Sequence, residues 1–355
     1  HRRGTSCGVL RKASGLVEIQ GRSGVMRRCM RLRPLLSLAA RRASTTRSEA
    51  AADALASFRE ELRQHGGGAT TLEVSGKVAT IWLDQPAKAN ALSGKMMAEL
   101  SDAVANLEQL CAGAYRSPPL FGGGDDGDNG DADVPLSAVL LRGRGRHFCA
   151  GADLEVVGGF LRPPAQGQLM QALMASNLRR LRALPAISVA VIDGAARGGG
   201  AELSVSTDLR VWSHAGSVAF VHNNMGLGMP GWGALHRLIH VCGRQVALRL
   251  LAFGETVHLD EAKALGLVDC VVGGSDASHS SVEKNLAETL KRITSPPFRG
   301  SMLASKTAVN YVGMDQEEAE KREARIFATR WGKGDNATAV AAILERGRQN
   351  AQQDP

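Results

Sequence analysis

Aromatic residues are scarce in this chain: they make up 4% of its 355 residues, and only two of them are tyrosines. Proteins that bind single-stranded nucleic acid present aromatic rings on which the bases stack, so this scarcity argues against a nucleic-acid partner. No run of eighteen or more apolar residues occurs, which argues against a membrane-spanning helix. The 44% apolar content is nevertheless enough to form a large hydrophobic core.

The six cysteines show no CxxC or mixed Cys/His spacing, so neither a structural metal site nor a disulfide framework is predicted. The acidic run DGDNGD lacks the Glu that closes a calcium loop, and no GxGxxG or Walker lysine follows a strand. We therefore predict no metal and no organic cofactor. Cys149 has no recognisable His partner, so we expect a buried thiol and not a nucleophile.

The net charge of +8 is unevenly distributed along the chain. Residues 1–47 contain twelve Lys or Arg and one acid, whereas the rest of the chain carries a net charge of −3. From Met26 onward the amino-terminal segment is rich in Arg and Ser and free of acids, which is the composition of a mitochondrial transit peptide. We therefore expect a presequence over residues 1–48, translation from Met26 and a mitochondrial location. A disordered basic tail on a cytosolic protein is the alternative.

The rest of the chain is predicted to contain a lead-in segment, an α/β core and a helical carboxy-terminal region. Residues 49–70 show a helical pattern that ends in three glycines, as expected of a lead-in helix and linker. The core is predicted over residues 71–294, with a surface insertion at 112–135 that is rich in Gly, Asp and Pro. Residues 295–350 show only helical patterns, at 297–312, 314–329 and 335–348.

Two segments of small residues each follow a predicted buried strand. The strands Ala138–Arg142 and Ile187–Asp193 precede FCAGADL at 148–154 and GGGAEL at 198–203. Small residues allow a backbone N–H to approach a ligand closely. Two such amides directed at one carbonyl oxygen would form an oxyanion hole, which stabilises charge that develops in the transition state. The pair predicts enolate chemistry, although a glycine triplet alone is also typical of a strand-to-helix turn.

Four segments in order resemble the crotonase (enoyl-CoA hydratase/isomerase) superfamily, namely FCAGADL, PAISVAVIDGAARGGGAEL, FVHNNMGLGMPGWGALHRL and HLDEAKALGLVDCVV. The resemblance covers roughly residues 71–348. It implies a crotonase-like fold, which is a repeated ββα core with a carboxy-terminal helical region, assembled as a homotrimer or homohexamer. It also implies an acyl-CoA substrate whose thioester oxygen is bound by the amides of Ala152 and Gly199.

The resemblance also bears on the reaction. Hydratases of this superfamily use two carboxylates; the first position corresponds to Glu202, but the second corresponds to Asn224, which cannot transfer a proton. FVHNNMG, PGWG and ATRWGKGDN resemble instead the ethylmalonyl-CoA decarboxylase branch, with its methylmalonyl-CoA decarboxylating relatives. We therefore predict a decarboxylase of ethylmalonyl-CoA or methylmalonyl-CoA. The alternatives are an enoyl-CoA hydratase or isomerase, and a non-catalytic structural subunit.

Three side chains are candidates for the chemical steps. Trp232 is predicted to form an apolar wall beside the departing carboxylate, unless it is an ordinary core aromatic. Glu202 is expected to have a raised pKa, because it would be desolvated next to the substrate carboxylate, and to donate a proton to the enolate carbon. His222 is the alternative proton donor, or else a structural histidine.

The same resemblance assigns the CoA moiety to the loop that contains Ala150, Ala152 and Asp153. Lys88 and Lys306 match positions where family members place a cation near the CoA phosphates, although each could be an ordinary surface lysine.

Overall fold

The computed structural model describes residues 52–112, 136–227, 229–273, 279–295 and 299–310, together with the single helical positions 338, 342, 345 and 349. The predicted presequence, the insertion after Ala112 and the helix predicted at 314–329 lie outside these residues. Of the helix predicted at 335–348, only three single positions are described.

The described residues form ten strands and nine α-helices. The strands are β1 Ala69–Ser75, β2 Val78–Asp84, β3 Ala138–Gly143, β4 His147–Cys149, β5 Ile187–Ile192, β6 Ala195–Arg197, β7 Leu209–Trp212, β8 Ser217–Ala219, β9 Val257–His258 and β10 Cys270–Val271. The helices are α1 (52–62), α2 Gly94–Cys111, α3 Leu154–Gly158, α4 Pro164–Ala183, α5 Gly199–Ser204, α6 Ala234–Phe253, α7 Leu259–Ala264, α8 His279–Thr294 and α9 Arg299–Val309. None of the helices within the described ranges is both long and apolar enough to cross a membrane.

The strands form two sheets between which the chain alternates. The larger sheet has the order β1-β2-β3-β5-β7-β10 and is parallel except for β1 at its edge. The smaller sheet has the order β4-β6-β8-β9, in which β4, β6 and β8 are parallel. Each of β3, β5 and β7 is followed by a strand of the small sheet and then by a helix. This arrangement is the predicted repeated ββα core, and the α/β fold class is confirmed.

The bounds of the two predicted buried strands are confirmed to within one residue. These strands are buried because both faces of the larger sheet are covered. In β3, Val139 and Leu141 face the main core, whereas Ala138 and Leu140 face a second apolar cluster to which α8 contributes. A strand that is buried on both faces reads as a continuous apolar run, which is why these segments are evident in the sequence.

The predicted lead-in helix is part of the main core. Phe58 and Leu62 of α1 are buried in it, and β1 begins at Ala69, two residues before the predicted start of the core. Close packing here requires Gly94 at the start of α2, since a Cβ atom on that residue would lie 2.3 Å from the Leu62 carbonyl oxygen. Ser93 caps α2, because its Oγ accepts a hydrogen bond from the Met96 N–H at 3.1 Å.

Lys306 holds α9 against the larger sheet. Its ammonium lies 2.8 Å from Asp208 Oδ2 and donates to the Ala186 carbonyl, and only 5% of its side chain is exposed. Asp208 also accepts hydrogen bonds from the Ser188 N–H and Oγ, at 2.8 and 2.6 Å. Burial lowers the pKa of Lys306, and the neighbouring Asp208 opposes that effect. The Lys306 ammonium is thus used inside the protein, and its assignment to the CoA phosphates stays a prediction.

We expect Lys306→Met to destabilise the protein by about 3–5 kcal/mol, since it leaves the Asp208 carboxylate buried without its cation. Urea unfolding of the wild type and the variant measures the difference. The double variant Lys306→Met/Asp208→Asn should recover part of the loss, because the uncompensated charge is removed. A single variant as stable as the wild type would show that the pair does not hold α9.

Candidate active site

The small sheet brings the candidate site residues together. Because β4, β6 and β8 are parallel neighbours, their carboxyl ends lie at one edge of the sheet, and ligands of open α/β sheets bind outside such ends. The segments that leave these three strands are Ala150–Asp153, Gly198–Gly200 and Phe220–His222. Each contains residues that were singled out in the sequence.

The first two segments come close to each other at Gly151, which precedes Ala152, and at Gly199. Gly151 has φ +96°, and a Cβ atom on it would lie 3.0 Å from the Gly199 nitrogen. Three neighbouring backbone N–H groups donate hydrogen bonds to carbonyl oxygens of the protein. They are Ala150 N to Ala89 O, Asp153 N to Leu92 O and Gly198 N to Ala219 O. Within the described part of the chain, neither Ala152 N nor Gly199 N donates a backbone hydrogen bond. Both amides can therefore serve a ligand oxygen.

The glycine triplet is also required for packing. A Cβ atom on Gly199 would lie 2.4 Å from Trp232 Cη2, and one on Gly200 would lie 2.0 Å from the Cys149 carbonyl oxygen. The Trp232 ring, which belongs to a residue only 4% exposed, therefore lies directly against the residue that supplies one of the two amides. The structural and functional interpretations of the triplet both apply, since the same close approach serves packing and exposes an N–H.

Glu202 is buried and joins three elements. Its Oε1 accepts a hydrogen bond from the Gly231 N–H at 3.1 Å, and its Oε2 accepts one from the Trp232 N–H at 2.6 Å. Glu202 Oε1 also lies 3.0 Å from His222 Nε2, and both side chains are more than nine-tenths buried. His222 Nδ1 is buried and has no hydrogen-bond partner among the described residues. The two alternative proton donors are thus in direct contact.

Asn224, the residue that the resemblance matches to the second carboxylate of a hydratase, packs against the end of α6. A Cβ atom on Gly254 would lie 3.3 Å from both polar atoms of the Asn224 amide, and the neighbouring Asn223 Nδ2 donates to the Ala252 carbonyl at 2.7 Å. An amide can donate to the unpaired carbonyls at a helix carboxyl end, whereas a carboxylate would meet the negative end of the helix dipole there. The two asparagines therefore suit a structural role in this loop.

The residues assigned to CoA binding differ in exposure and in the contacts that they already make within the protein. Asp153 has 5% of its side chain exposed, caps α3 by accepting the Glu155 N–H at 2.9 Å, and lies 3.1 Å from Lys88 Nζ. Its carboxylate is used inside the protein, and its assignment as a substrate-binding residue stays a prediction. Lys88, which is 43% exposed, also lies 2.8 Å from Glu155 Oε2, and these two carboxylates raise its pKa. Ala150 is exposed at the same loop.

Two other residues near the site have structural roles. The predicted burial of the Cys149 thiol is confirmed, since the residue is 0% exposed. This burial raises the pKa of the thiol to about 12, which disfavours the nucleophilic thiolate. Arg197, which precedes the glycine triplet, donates from its guanidinium to the carbonyl and the hydroxyl of Ser217, at 3.1 and 3.0 Å. It thereby links β6 to β8, and burial lowers its pKa.

The sequence analysis missed two residues of α4 that contact the Gly231–Trp232 loop. Met170 Sδ accepts a hydrogen bond from Trp232 Nε1 at 3.2 Å, and Gln171 Nε2 donates to the Gly231 carbonyl at 2.8 Å. Each contact joins residues about sixty positions apart in the chain, and neither Met170 nor Gln171 belongs to a motif. Only the folded chain shows them.

Asp153→Asn tests the structural role of Asp153, since it keeps an oxygen that can cap α3 but removes the charge. Burial by itself would raise the pKa of Asp153, but the Glu155 N–H and the Lys88 ammonium outweigh it and lower the pKa below its ordinary value of 3.8. A carboxylate with a lowered pKa stabilises the folded state above its unfolded value and loses that contribution as the pH falls through its folded value.

The wild type should therefore be more stable than Asp153→Asn by up to about 1 kcal/mol at neutral pH. The difference should shrink as the pH falls below 3.8, the ordinary value for this carboxyl. Chemical denaturation at a series of pH values measures it. A stability difference that is independent of pH would contradict this role for the charge.

Known proteins resemble this chain in sequence and in fold. The enoyl-CoA hydratase/isomerase family model matches residues 129–353. The ethylmalonyl-CoA decarboxylase of Xenopus tropicalis is 33% identical over 287 residues, which are 81% of this chain and 87% of that protein. The ethylmalonyl-CoA decarboxylase of Danio rerio is 33% identical over 291 residues, covering 80% and 87% of the two chains.

Solved structures agree with the observed architecture. The enoyl-CoA hydratase of Bacillus anthracis superposes with a TM-score of 0.63 at 24% identity, covering 78% of this chain and 96% of that one. The enoyl-CoA hydratase of Thermoplasma volcanium gives a TM-score of 0.61 at 24% identity, covering 78% and 97%. At this identity the structures establish the fold, and the family model and the relatives establish the membership. The chain belongs to the enoyl-CoA hydratase/isomerase family, the crotonase superfamily that its motifs resemble.

Proposed function

We propose that this chain is a decarboxylase of branched malonyl-CoA thioesters, with ethylmalonyl-CoA or methylmalonyl-CoA as substrate. The observation that carries the proposal is the pair of unused amides, Ala152 N and Gly199 N, on two loops that contact each other. Asn224 in place of a second carboxylate disfavours hydration. The names of the relatives, ethylmalonyl-CoA decarboxylase, support the same reaction.

In the proposed reaction, the bond between the α carbon and the substrate carboxylate breaks and CO2 leaves. The bonding electrons pass into the thioester, whose oxygen becomes an enolate held by the N–H groups of Ala152 and Gly199. No base is needed to form this enolate, and no metal or organic cofactor is required. Trp232 lies against Gly199, so its ring can provide an apolar surface that disfavours the charged carboxylate and favours neutral CO2.

The enolate carbon then takes a proton, and we assign its delivery to the Glu202–His222 pair. The two side chains are in contact at 3.0 Å and are both buried, so a proton they share is protected from bulk water. Two backbone N–H groups fix the carboxylate, and Nδ1 of His222 has no hydrogen-bond partner within the part of the chain that the structure describes. The pair replaces the two separate donors considered from the sequence, and solvent restores its proton after turnover.

The remaining parts of the proposal concern CoA, assembly and location. Lys88 is partly exposed and could exchange its two carboxylates for CoA phosphates, and the main chain at Ala150 could hold the adenine. A homotrimer or homohexamer is proposed from the family resemblance. A mitochondrial location is proposed from the basic segment that follows Met26.

Release of CO2 tests the reaction directly. We expect the purified wild-type protein to convert ethylmalonyl-CoA to butyryl-CoA, or methylmalonyl-CoA to propionyl-CoA, with one CO2 released per thioester. Crotonyl-CoA is the control substrate for the hydratase alternative. Loss of its enoyl absorbance without CO2 release from either malonyl thioester would contradict the proposal, and binding of the thioesters without turnover would favour a non-catalytic subunit.

Gly199→Ala should lower kcat by about 10²–10³-fold, because its Cβ atom would displace the Trp232 ring and move an oxyanion-hole amide. Gly158→Ala is the matched control, since a Cβ atom at that glycine meets nothing within 4 Å. The control should keep wild-type activity. Equal activities of the two variants would remove Gly199 from the site.

Glu202→Gln and His222→Asn should each slow turnover by about 10²–10⁴-fold, the usual contribution of a positioned proton donor. Because the two residues act as a pair, the double variant should be little slower than either single variant. Glu261→Gln, at a partly exposed surface carboxylate, serves as the control. Near-full activity of Glu202→Gln would exclude the pair as the proton source.

A further inference from the structure

We infer that helix α4 sets the selectivity for the substrate's side branch, through contacts of Met170 and Gln171 with the Gly231–Trp232 loop. The inference rests on the proposed function and deepens it by naming the residues that position the apolar wall. Neither side chain takes part in the chemical steps described above. Both are therefore positioning residues that act through Trp232.

Trp232 is held on three sides. Its backbone N–H donates to Glu202 Oε2 at 2.6 Å, its ring lies against Gly199, and its indole N–H donates to Met170 Sδ at 3.2 Å. The first two contacts come from α5 and the third from α4. The direction of the ring therefore depends on where α4 places the sulfur atom.

The loop is held between the same two helices at the preceding residue. The Gly231 N–H donates to Glu202 Oε1, on α5, at 3.1 Å, and the Gly231 carbonyl accepts from Gln171 Nε2, on α4, at 2.8 Å. Two consecutive residues of the loop thus contact two consecutive residues of α4. A shift of α4 would move the backbone and the ring together.

The other end of α4 is anchored to α2. Asn177 accepts a hydrogen bond from Ser101 at 3.0 Å, and Arg180 pairs with Glu108 in a two-bond contact. Since α2 belongs to the main core, the distal half of α4 is fixed by it. The half that carries Met170 and Gln171 transmits that position to the loop.

A small change in the ring position is enough to change selectivity. An ethyl and a methyl branch differ by one methylene, and a hydrophobic pocket discriminates such a difference by about 10–200-fold. A thioether is a weak hydrogen-bond acceptor, and methionine is a flexible side chain. Met170 therefore determines the ring position only in combination with Gln171, and both contacts have to be tested.

The experiment compares kcat/KM for ethylmalonyl-CoA and methylmalonyl-CoA in Met170→Leu, Gln171→Leu and the control Gln168→Leu. Leu conserves the volume of Met but lacks the sulfur, and Gln168 is exposed on the same helix. We expect the ratio of the two kcat/KM values to change by about 5–10-fold in the first two variants, within the range open to one methylene. The control should keep the wild-type ratio.

Two further variants separate positioning from general stability. Met170→Gln supplies an oxygen acceptor for the indole N–H and should restore the wild-type ratio. Trp232→Phe removes the indole N–H, so adding Met170→Leu to it should change the ratio no further. A merely structural role would predict additive losses in that double variant and no rescue by Gln.

The outcomes distinguish this inference from the proposed function. Active wild-type protein with an unchanged ratio in both Met170→Leu and Gln171→Leu would overturn the inference and leave the decarboxylase proposal standing. If Met170→Leu fails to fold, the Gln171→Leu result decides, because that side chain is at the surface. Wild-type protein that releases CO2 from neither thioester would overturn the proposed function and this inference with it.

Discussion

The parallel pairing of three short strands is the constraint on which the rest of the site depends. Because β4, β6 and β8 run side by side in one direction, the loops after them lie at the same edge of the small sheet. Pairing alone would not bring the two amides together, because side chains would separate the loops. Gly151, Gly199 and Gly200 remove that obstacle, since a Cβ atom on any of them would meet an atom at 3.0 Å or less.

Glu202 links the stability of the site to its proposed chemistry. Burying a carboxylate is unfavourable unless hydrogen bonds compensate, and here the compensation comes from the Gly231 and Trp232 amides and from His222. The same contacts fix the loop that carries the apolar ring. The contacts that stabilise the buried carboxylate are thus the ones that position it for the proposed proton transfer.

The sequence indicates candidate site residues most directly where the proposed function depends on main-chain groups or on residues within a motif. Ala152 and Gly199 follow buried strands, and such strands and short glycine segments are local features of the sequence. Asp153 and Lys306 make contacts within the protein that the sequence does not show. Their charges are neutralised inside the protein, and for Lys306 the partner, Asp208, is about a hundred residues away in the chain. A charged residue looks the same in a sequence whether its partner is a ligand or another side chain.

The sequence by itself determined the order of buried strands and the glycines at which the backbone approaches closely. These features depend on residue type and local spacing. Only the tertiary structure decided that Glu202 contacts His222, that Met170 contacts Trp232 and that Lys306 is buried. Those contacts join residues 20, 62 and about a hundred positions apart, and they form only when sheet pairing and helix packing bring distant segments together.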